Sequence, residues 1–550
     1  MSVSAPQPEA AWPSGCARIP TCSGWNVVVR LKPIVMDHRT WWVSGLWLTA
    51  AVVGACTDAA LPAGANGSSE GGSTGAPSSE PDPTGSTIPD GADETSTGEP
   101  PPPTACSSGV AIAASEQAPG DPAAGYEALL TEGYVTCGIP LPLFDLAVPL
   151  LGPFASGEPL PGRTGPNAEV PYNWTVHTTD AGAEIASLNC LECHAGEFNG
   201  ELIVGLGKAD ADYTENIGGA LAQIPVVPIP IPGLDELTRM AARYQAVGDD
   251  IRMLTVGTNP ADRLAVVLGS HRDGETLAWQ DEPHTPVPEV VLPVDTPPWW
   301  HVSKKHGLFF NGMSRGDHRA TMLFATSLCT DTVEEATEIL SYFDDIRAYL
   351  ATIEAPTYPF EIDAELAEQG QKVFNRDCAC CHGTYDADPA SETYPNLLLP
   401  LDVIGTDPLL AQEADVQPFA DWFNDSWYGE IGPLTPSEPF PGYVAPPLDG
   451  IWATAPYLHN ASVPTLELVL DSTKRPRYWR RNDYDSTNFD QYAVGWPHTE
   501  LPYGQEGAPA DERKHVYDTT RLGHWNTGHT FGDHLDDSER RAVLEYLKTL

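Results

Sequence analysis

Two short segments combine cysteine and histidine at a spacing that has a specific chemical use. Residues 190–194 read Cys-Leu-Glu-Cys-His, and residues 378–382 read Cys-Ala-Cys-Cys-His. In a Cys-x-x-Cys-His motif the two thiols form thioethers to a haem, and the histidine that follows ligates its iron. The predicted haem-binding residues are Cys190, Cys193 and His194 in the first motif and Cys378, Cys381 and His382 in the second.

Other uses of paired cysteines fit these motifs less well. Structural zinc sites space their cysteine pairs closely, and a thioredoxin-type motif needs a βαβ setting. Neither explains why a histidine directly follows both pairs. The chain is therefore predicted to be a c-type cytochrome with two covalently bound haem c groups. The remaining cysteines permit disulfides in an oxidising compartment, such as Cys106 to Cys137, but their connectivity stays open.

Net charge restricts the partners that fit this chain. The 550 residues carry a formal charge of −47, from 29 basic and 76 acidic side chains. This excess argues against nucleic acid and against anionic membrane surfaces as partners. A basic redox partner would be attracted, yet a surface kept acidic for solubility explains the charge equally well. The expected electron donor is thus a redox partner protein or a small molecule.

The first 105 residues are typical of an exported, tethered protein. An apolar run over residues 41–55 has the length of the hydrophobic part of a signal peptide and is too short to span a bilayer. It ends at Cys56 in a sequence that resembles a bacterial lipobox; a plain secretory signal with a coincidental cysteine is the alternative. Met36 would give a leader of normal length, so residues 1–56 are predicted to be an overextended start plus lipoprotein signal peptide.

Residues 57–105 lack aromatic and basic side chains and are rich in Gly, Ser, Pro and acidic residues, so they are predicted to be a disordered linker. The expected location is the periplasm or the cell surface. A lipid anchor to the outer membrane would be the chain's only attachment to a membrane.

Helical patterns position the two motifs. Helices are expected from Asp121 towards residue 133, from Asp331 to residue 350, over residues 363–376 and over residues 537–550. A helix just before the motif and another at the C-terminus is the arrangement of small cytochrome c domains, and contact of Gly370 and Phe374 with the last helix resembles theirs. We expect a mostly α fold with long irregular loops and two cytochrome c-like haem domains, residues 106–355 and 356–550.

The supply of methionine limits the second haem's distal ligand. None of the six methionines follows the second motif, so histidine or tyrosine must replace methionine if that domain supplies its own ligand. Such a replacement should lower the reduction potential. A basic cluster at residues 474–481 either pairs with haem propionates or forms a solvated patch. The histidine candidates are His459, His498, His515, His524, His529 and His534.

Residues 452–466, Trp-Ala-Thr-Ala-Pro-Tyr-Leu-His-Asn-Ala-Ser-Val-Pro-Thr-Leu, carry a family resemblance. They are similar to a segment shared by bacterial dihaem cytochrome c peroxidases, the dihaem enzyme that matures methylamine dehydrogenase and the dihaem rubber oxygenases. Residues 297–300 (Pro-Pro-Trp-Trp), 304–317 and 526–532 are most similar to the rubber oxygenase branch. That resemblance implies His194 alone at an oxygen-binding N-terminal haem, and His382 with His529 at the C-terminal haem.

The predicted function is an extracytoplasmic dihaem oxidoreductase, whose N-terminal haem activates peroxide or oxygen and whose C-terminal haem relays electrons. Trp299, Trp300, Phe309 and Phe310 are expected to form an apolar distal wall, and the two tryptophans to carry electrons between the haems or simply to fill the core. The alternative function is a non-catalytic electron carrier, because methionine or histidine could be the first haem's sixth ligand. The candidates for that ligand are Met240, Met253, Met313, Met322 and the histidines from His271 to His318.

Overall fold

The structure, a computed structural model, describes residues 105–550 except 156, 225–229, 288 and 413–415. The predicted leader with Cys56, and the predicted linker up to residue 104, lie outside these residues. The α-helices of the described residues are α1 (Pro122–Thr131), α2 (Leu141–Leu151), α3 (Leu191–His194), α4 (Ile217–Leu221), α5 (Leu234–Val247), α6 (Ala261–Ser270), α7 (Arg319–Phe324), α8 (Val333–Leu350), α9 (Ala364–Asp377), α10 (Ala379–His382), α11 (Leu401–Ile404), α12 (Leu409–Gln412), α13 (Val416–Asp425), α14 (Leu466–Leu470) and α15 (Asp537–Leu547).

The strands of the same residues are short. They are β1 (Val110–Ala111), β2 (Ile139–Pro140), β3 (Trp174–Thr178), β4 (Glu184–Leu188), β5 (Ala195–Phe198), β6 (Glu201–Val204), β7 (Leu397–Pro400), β8 (Gly442–Val444), β9 (Tyr478–Arg481), β10 (His498–Glu500) and β11 (Tyr517–Asp518).

The fold is mixed α/β, so the expectation of a mostly α fold is wrong. The α-helices and the short 3-10 helices together make up 37% of the described residues, and the strands pair in several small antiparallel sheets. Three sheets have three strands each, in the orders β1-β7-β8, β10-β9-β11 and β2-β4-β3, and β5 pairs with β6. Strands this short show too little alternation of apolar and polar residues to be recognised in a sequence.

The predicted helices occur close to their expected positions. Asp121 and Asp363 cap the N-termini of α1 and α9, and α15 begins with a capping box of Asp536 and Glu539. The helix expected from Asp331 begins slightly later, because the Thr332 side chain accepts the hydrogen bond that caps α8. None of the helices in the described part of the chain is long and apolar enough to cross a membrane.

The helix crossing expected beside the second motif is confirmed. A Cβ atom at Gly370 of α9 would lie 1.9 Å from the Ala542 carbonyl oxygen of α15, so only glycine permits this approach. The rings of Phe374 and Tyr546 then pack with centroids 5.2 Å apart. Because α9 ends directly before Cys378, this crossing fixes the position of the second motif.

Two large hydrophobic clusters form most of the core. The first is built mainly from residues between 128 and 350, with a contribution from residues 416–434. The second is built mainly from residues between 358 and 547, and it includes Phe198 and Trp300. Leu191 of the first motif belongs to the first cluster, and Cys378 packs against the second. The domain boundary after residue 355 stays a prediction.

Candidate haem sites

The first motif forms the short helix α3, which is held against Trp299 by a glycine. The Gly205 N–H donates to the His194 carbonyl at 2.8 Å, and the Gly205 carbonyl accepts from the Trp299 N–H at 2.8 Å. Gly205 has a φ of +96°, a conformation that favours glycine. The His194 and Trp299 rings consequently stack, with centroids 4.8 Å apart and planes 23° from parallel.

The four aromatic residues of the predicted distal wall take different places. Trp299 stacks on His194, whereas Trp300 belongs to the second hydrophobic cluster and donates its indole N–H to the Asp449 carbonyl at 2.7 Å. Phe309 and Phe310 line the cavity that borders His194. Trp299, Phe309 and Phe310 therefore line one cavity, whereas Trp300 lies in the second hydrophobic cluster.

A cavity of about 390 Å³ borders His194 and both cysteines of the first motif. This volume lies within the range of pockets that bury small-molecule ligands. The walls are mainly apolar, which fits the ring of a haem. Among the lining residues, Lys305 has no ion-pair partner in the described part of the chain, and burial lowers the pKa of its ammonium to about 8. A lone ammonium at an apolar wall fits the carboxylates that haem carries.

The same cavity is lined by Met240 and Met322, two of the methionines considered as a sixth ligand. Burial lowers the pKa of His194 to about 4, so its imidazole is neutral, which is the form that binds metals. The residues present therefore fit a haem c at this site. The two thioethers that line the cavity would be candidates for a second iron ligand.

The second motif orients its histidine through a proline carbonyl. His382 Nδ1 lies 2.8 Å from the Pro446 carbonyl oxygen, which can only accept a hydrogen bond. Nδ1 therefore carries the proton, and Nε2 presents its lone pair to a metal. At the first motif, His194 Nδ1 has no hydrogen-bond partner among the described residues, and the Pro297 backbone raises a pKa that burial lowers. Both prolines begin Pro-Pro pairs, a shared signal that our sequence analysis missed.

His529 faces His382 across the second site. The ring centroids are 6.2 Å apart. Two imidazoles on opposite sides of one metal ion, each with a metal–nitrogen bond of about 2 Å, have centres about 6 Å apart. Burial, followed by the proximity of His382 and Arg475, lowers the pKa of His529 to about 3, so this imidazole is also neutral. The pair fits the two axial ligands of one haem iron.

The loop that carries His529 is fixed by backbone contacts. The His529 N–H donates to the Ile404 carbonyl at 2.7 Å. A Cβ atom at Gly528 would lie 2.0 Å from the Gly405 carbonyl carbon, so this approach also requires glycine. Arg475, from the basic cluster, donates to the Asn526 and Gly528 carbonyls, both at 2.7 Å. Arg475 thus holds the ligand loop, a role that the sequence did not indicate.

Other histidine candidates lie against other aromatic rings. His459 stacks on Tyr443, with centroids 4.1 Å apart, and His524 packs against Tyr517 at 5.4 Å. His515 packs against Tyr484 at 5.6 Å. The structure therefore brings His529, rather than His459, opposite His382.

Among the described residues, the cysteines outside the two attachment pairs form disulfides. Cys106 is bonded to Cys380 and Cys137 to Cys329, so the pairing of Cys106 with Cys137 does not occur. The free cysteines among the described residues are Cys190, Cys193, Cys378 and Cys381, which are the four predicted to bind haem.

A family described as "RoxA-like, cytochrome c-like" matches residues 442–480. The matched segment contains Pro446, which orients His382, and Arg475, which holds the His529 loop. The match indicates a haem-containing oxidoreductase with covalently bound haem c and an electron-transfer role. It supports a relationship to rubber-oxygenase-like cytochromes at a coarse level, without selecting a branch.

Two relatives from Sinorhizobium fredii (strain NBRC 101917 / NGR234) are similar to parts of the chain. "Uncharacterized protein y4iM" is 26% identical over 325 residues, which cover 51% of this chain and 70% of that protein. "Uncharacterized protein y4iJ" is 28% identical over 293 residues, which cover 42% of this chain and 47% of that protein. Their names state no activity.

Proposed function

We propose that the chain is an extracytoplasmic dihaem c-type cytochrome oxidoreductase with one haem c at each motif. The observation that carries this proposal is the contrast between the two histidines. His194 borders a mainly apolar cavity, whereas His382 is faced by His529 at 6.2 Å. In the described part of the chain, the lining of the first cavity contains no histidine besides His194, whereas the second site has two histidines face to face.

The first site is proposed to be catalytic, with peroxide or oxygen as the substrate. A haem held there by Cys190, Cys193 and His194 would supply the activation chemistry. Trp299 fixes the orientation of the His194 ring by stacking on it. The apolar cavity wall, which includes Phe309 and Phe310, limits the entry of water.

The second site is proposed to relay electrons. His382 and His529 would occupy both axial positions of its haem, which favours electron transfer over substrate binding. Trp299 and Trp300 are proposed to connect the sites, because Trp299 contacts His194 and Trp300 contacts the Asp449 carbonyl. Asp449 follows closely after Pro446, the hydrogen-bond partner of His382. Electrons would come from a redox partner protein or a small donor.

The location is proposed to be the periplasm or the cell surface. Translation would start at Met36, and the mature chain would begin at an acylated Cys56 and be tethered through residues 57–105. Mass spectrometry of the mature N-terminus tests this proposal. A free N-terminus at any residue other than Cys56 would remove the anchor.

A non-catalytic electron carrier is the second candidate function. It is favoured by Met240 and Met322, which line the cavity at the first site. If either thioether binds the iron opposite His194, both haems would have two protein ligands, and no position would be open to a substrate.

Haem counting and carbon monoxide binding test the proposed function. Intact mass should show two haems per chain, and carbon monoxide should bind one of them. Peroxide or oxygen should alter the spectrum of that same haem. A mass with fewer than two haems would overturn the dihaem assignment, and carbon monoxide binding to neither haem in either redox state would favour the electron carrier.

A further inference from the structure

The second attachment motif contains one thiol more than its chemistry needs. Cys380 lies between Cys378, which directly precedes α10, and Cys381; Cys380 and Cys381 are both within α10. In a helix, residues three apart lie on the same face, whereas a residue two positions along lies on another. Cys378 and Cys381 therefore share a face, and Cys380 is directed elsewhere.

Cys380 is bonded to Cys106, across 274 residues of sequence. The segment that follows Cys106 brings this partner into place, because Val110 and Ala111 of β1 pair with Leu398 and Leu397 of β7. The sulfur atoms of Cys106, Cys380 and Cys381 all lie within 4.8 Å of one another. A reduced Cys380 would thus be close enough to Cys381 to compete with it or to bond to it.

We propose that Cys106 determines which thiols of the second motif receive haem, by holding Cys380 in a disulfide. This inference rests on the proposed attachment of haem to Cys378 and Cys381. In each attachment, a thiol S–H adds across a vinyl C=C bond, so that one C–S and one C–H bond form without a net change in oxidation state. The disulfide removes the competing S–H group and leaves the two correct thiols reduced.

Without Cys106, the Cys380 thiol is free to react in two ways that prevent correct haem attachment. Cys380 can add to a vinyl group in place of its neighbours. Alternatively, it can bond to Cys378 or Cys381, with two electrons and two protons passing to the extracytoplasmic thiol oxidant that forms the native disulfides. Either product lowers correct attachment at the second motif. Neither reaction is available when residues 106 and 380 both lack a thiol.

The test compares Cys106→Ser with the double variant Cys106→Ser/Cys380→Ala in the full chain, made with its haem-attachment machinery. Intact mass and peptide mapping give the number of haems and the attached cysteines. Cys106→Ser should lose at least half of the correct attachment at the second motif, while the double variant, which has neither thiol, should attach haem as the wild type does. Cys137→Ser, which removes the other disulfide, is the matched control and should leave this attachment pattern unchanged.

Several results would overturn the inference. These are normal attachment in Cys106→Ser, a loss that the double variant does not restore, an equal loss in Cys137→Ser, or free Cys106 and Cys380 thiols in the mature protein. A wild-type chain without haem on Cys378 and Cys381 would instead overturn the proposed function. The two failures are therefore distinguishable by the same mapping.

Discussion

The two Cys-x-x-Cys-His sites share a motif and differ in what surrounds it. At the first, His194 stacks on Trp299 and borders a cavity of about 390 Å³. At the second, His382 is oriented by the Pro446 carbonyl and faced by His529. The attachment motif thus specifies a cofactor, whereas distant segments of the chain decide what the cofactor can do.

At the second site the Pro446 carbonyl accepts a hydrogen bond from the motif histidine, whereas His194 Nδ1 has no hydrogen-bond partner among the described residues. The two sites also differ in the residues that surround the motif histidine. Opposite His382, the second site places a loop that is held by the close approach of Gly528 to Gly405, by the hydrogen bond from His529 to Ile404 and by Arg475. At the first site, apolar side chains, Lys305 and two methionines line the cavity beside His194. The proposed division into a catalytic and a relay site depends on this contrast.

Removing His529 should have the largest effect, because it would make the second site resemble the first. In His529→Ala, one of the two haems should change from low spin to high spin, and carbon monoxide binding should rise from one to two per chain. Absorption spectra and carbon monoxide titration measure both changes. Because the side chain is buried and neutral, its loss removes a ligand rather than a surface charge.

His534→Ala is the control for this experiment. His534 lies five residues further along the chain, and its side chain is 57% exposed. This variant should keep the wild-type spectrum. An unchanged spectrum in His529→Ala as well would contradict the ligand assignment, and His459 or a tyrosine would then be the next candidate ligand.

Replacing the cavity methionines tests the other half of the comparison. If the first site has an open distal position, Met240→Leu and Met322→Leu should keep binding one carbon monoxide per chain, since leucine conserves most of the apolar volume. If the wild type binds none and one of these variants does, that methionine is the sixth ligand. Carbon monoxide titration of the reduced proteins decides between the two outcomes.

Much of the second site was predictable from sequence, because local patterns encode it. The helix before Cys378, the C-terminal helix and the contact at Gly370 follow from periodicity and capping residues. The absence of a late methionine restricted the distal ligand, and a family resemblance then singled out His529.

The remaining features depend on long-range contacts that no local pattern records. The small sheets were missed because their strands are two to five residues long. The stacking of Trp299 on His194 depends on two hydrogen bonds to Gly205. The Cys106–Cys380 disulfide joins segments that only the pairing of β1 with β7 brings together.

A smaller effect is expected from the tryptophans proposed to connect the sites. Replacing Trp300 with Phe keeps an aromatic ring in the second cluster but removes the hydrogen bond to the Asp449 carbonyl. Electron transfer between the haems should become slower, while both haem spectra stay close to those of the wild type. Rapid-mixing kinetics with one haem reduced first measures this rate. Tyr492→Phe, at an exposed ring, is the control, and equal rates in all three proteins would contradict the relay.

The smallest effect concerns acid stability in the region of the first site. His318 is 1% exposed, and in the described part of the chain neither of its ring nitrogens has a hydrogen-bond partner. Burial, and then the nearby Arg347 and Lys305, lowers its pKa to about 4, although the His306 backbone and Asp317 act in the opposite direction. The unfolded histidine binds a proton near pH 6.5, so the folded state loses stability as the pH falls from there towards 4.

In His318→Leu, the loss of unfolding free energy between pH 7 and pH 5 should be smaller than in the wild type by about 2 kcal/mol, which is the contribution of His318. Denaturant unfolding at the two pH values gives the difference for each protein. His534→Gln, at an exposed histidine, should retain the wild-type dependence. If His318→Leu loses as much stability on acidification as the wild type, His318 is not the acid-sensitive group. The acid sensitivity of the first region must then arise from other buried groups around its cavity.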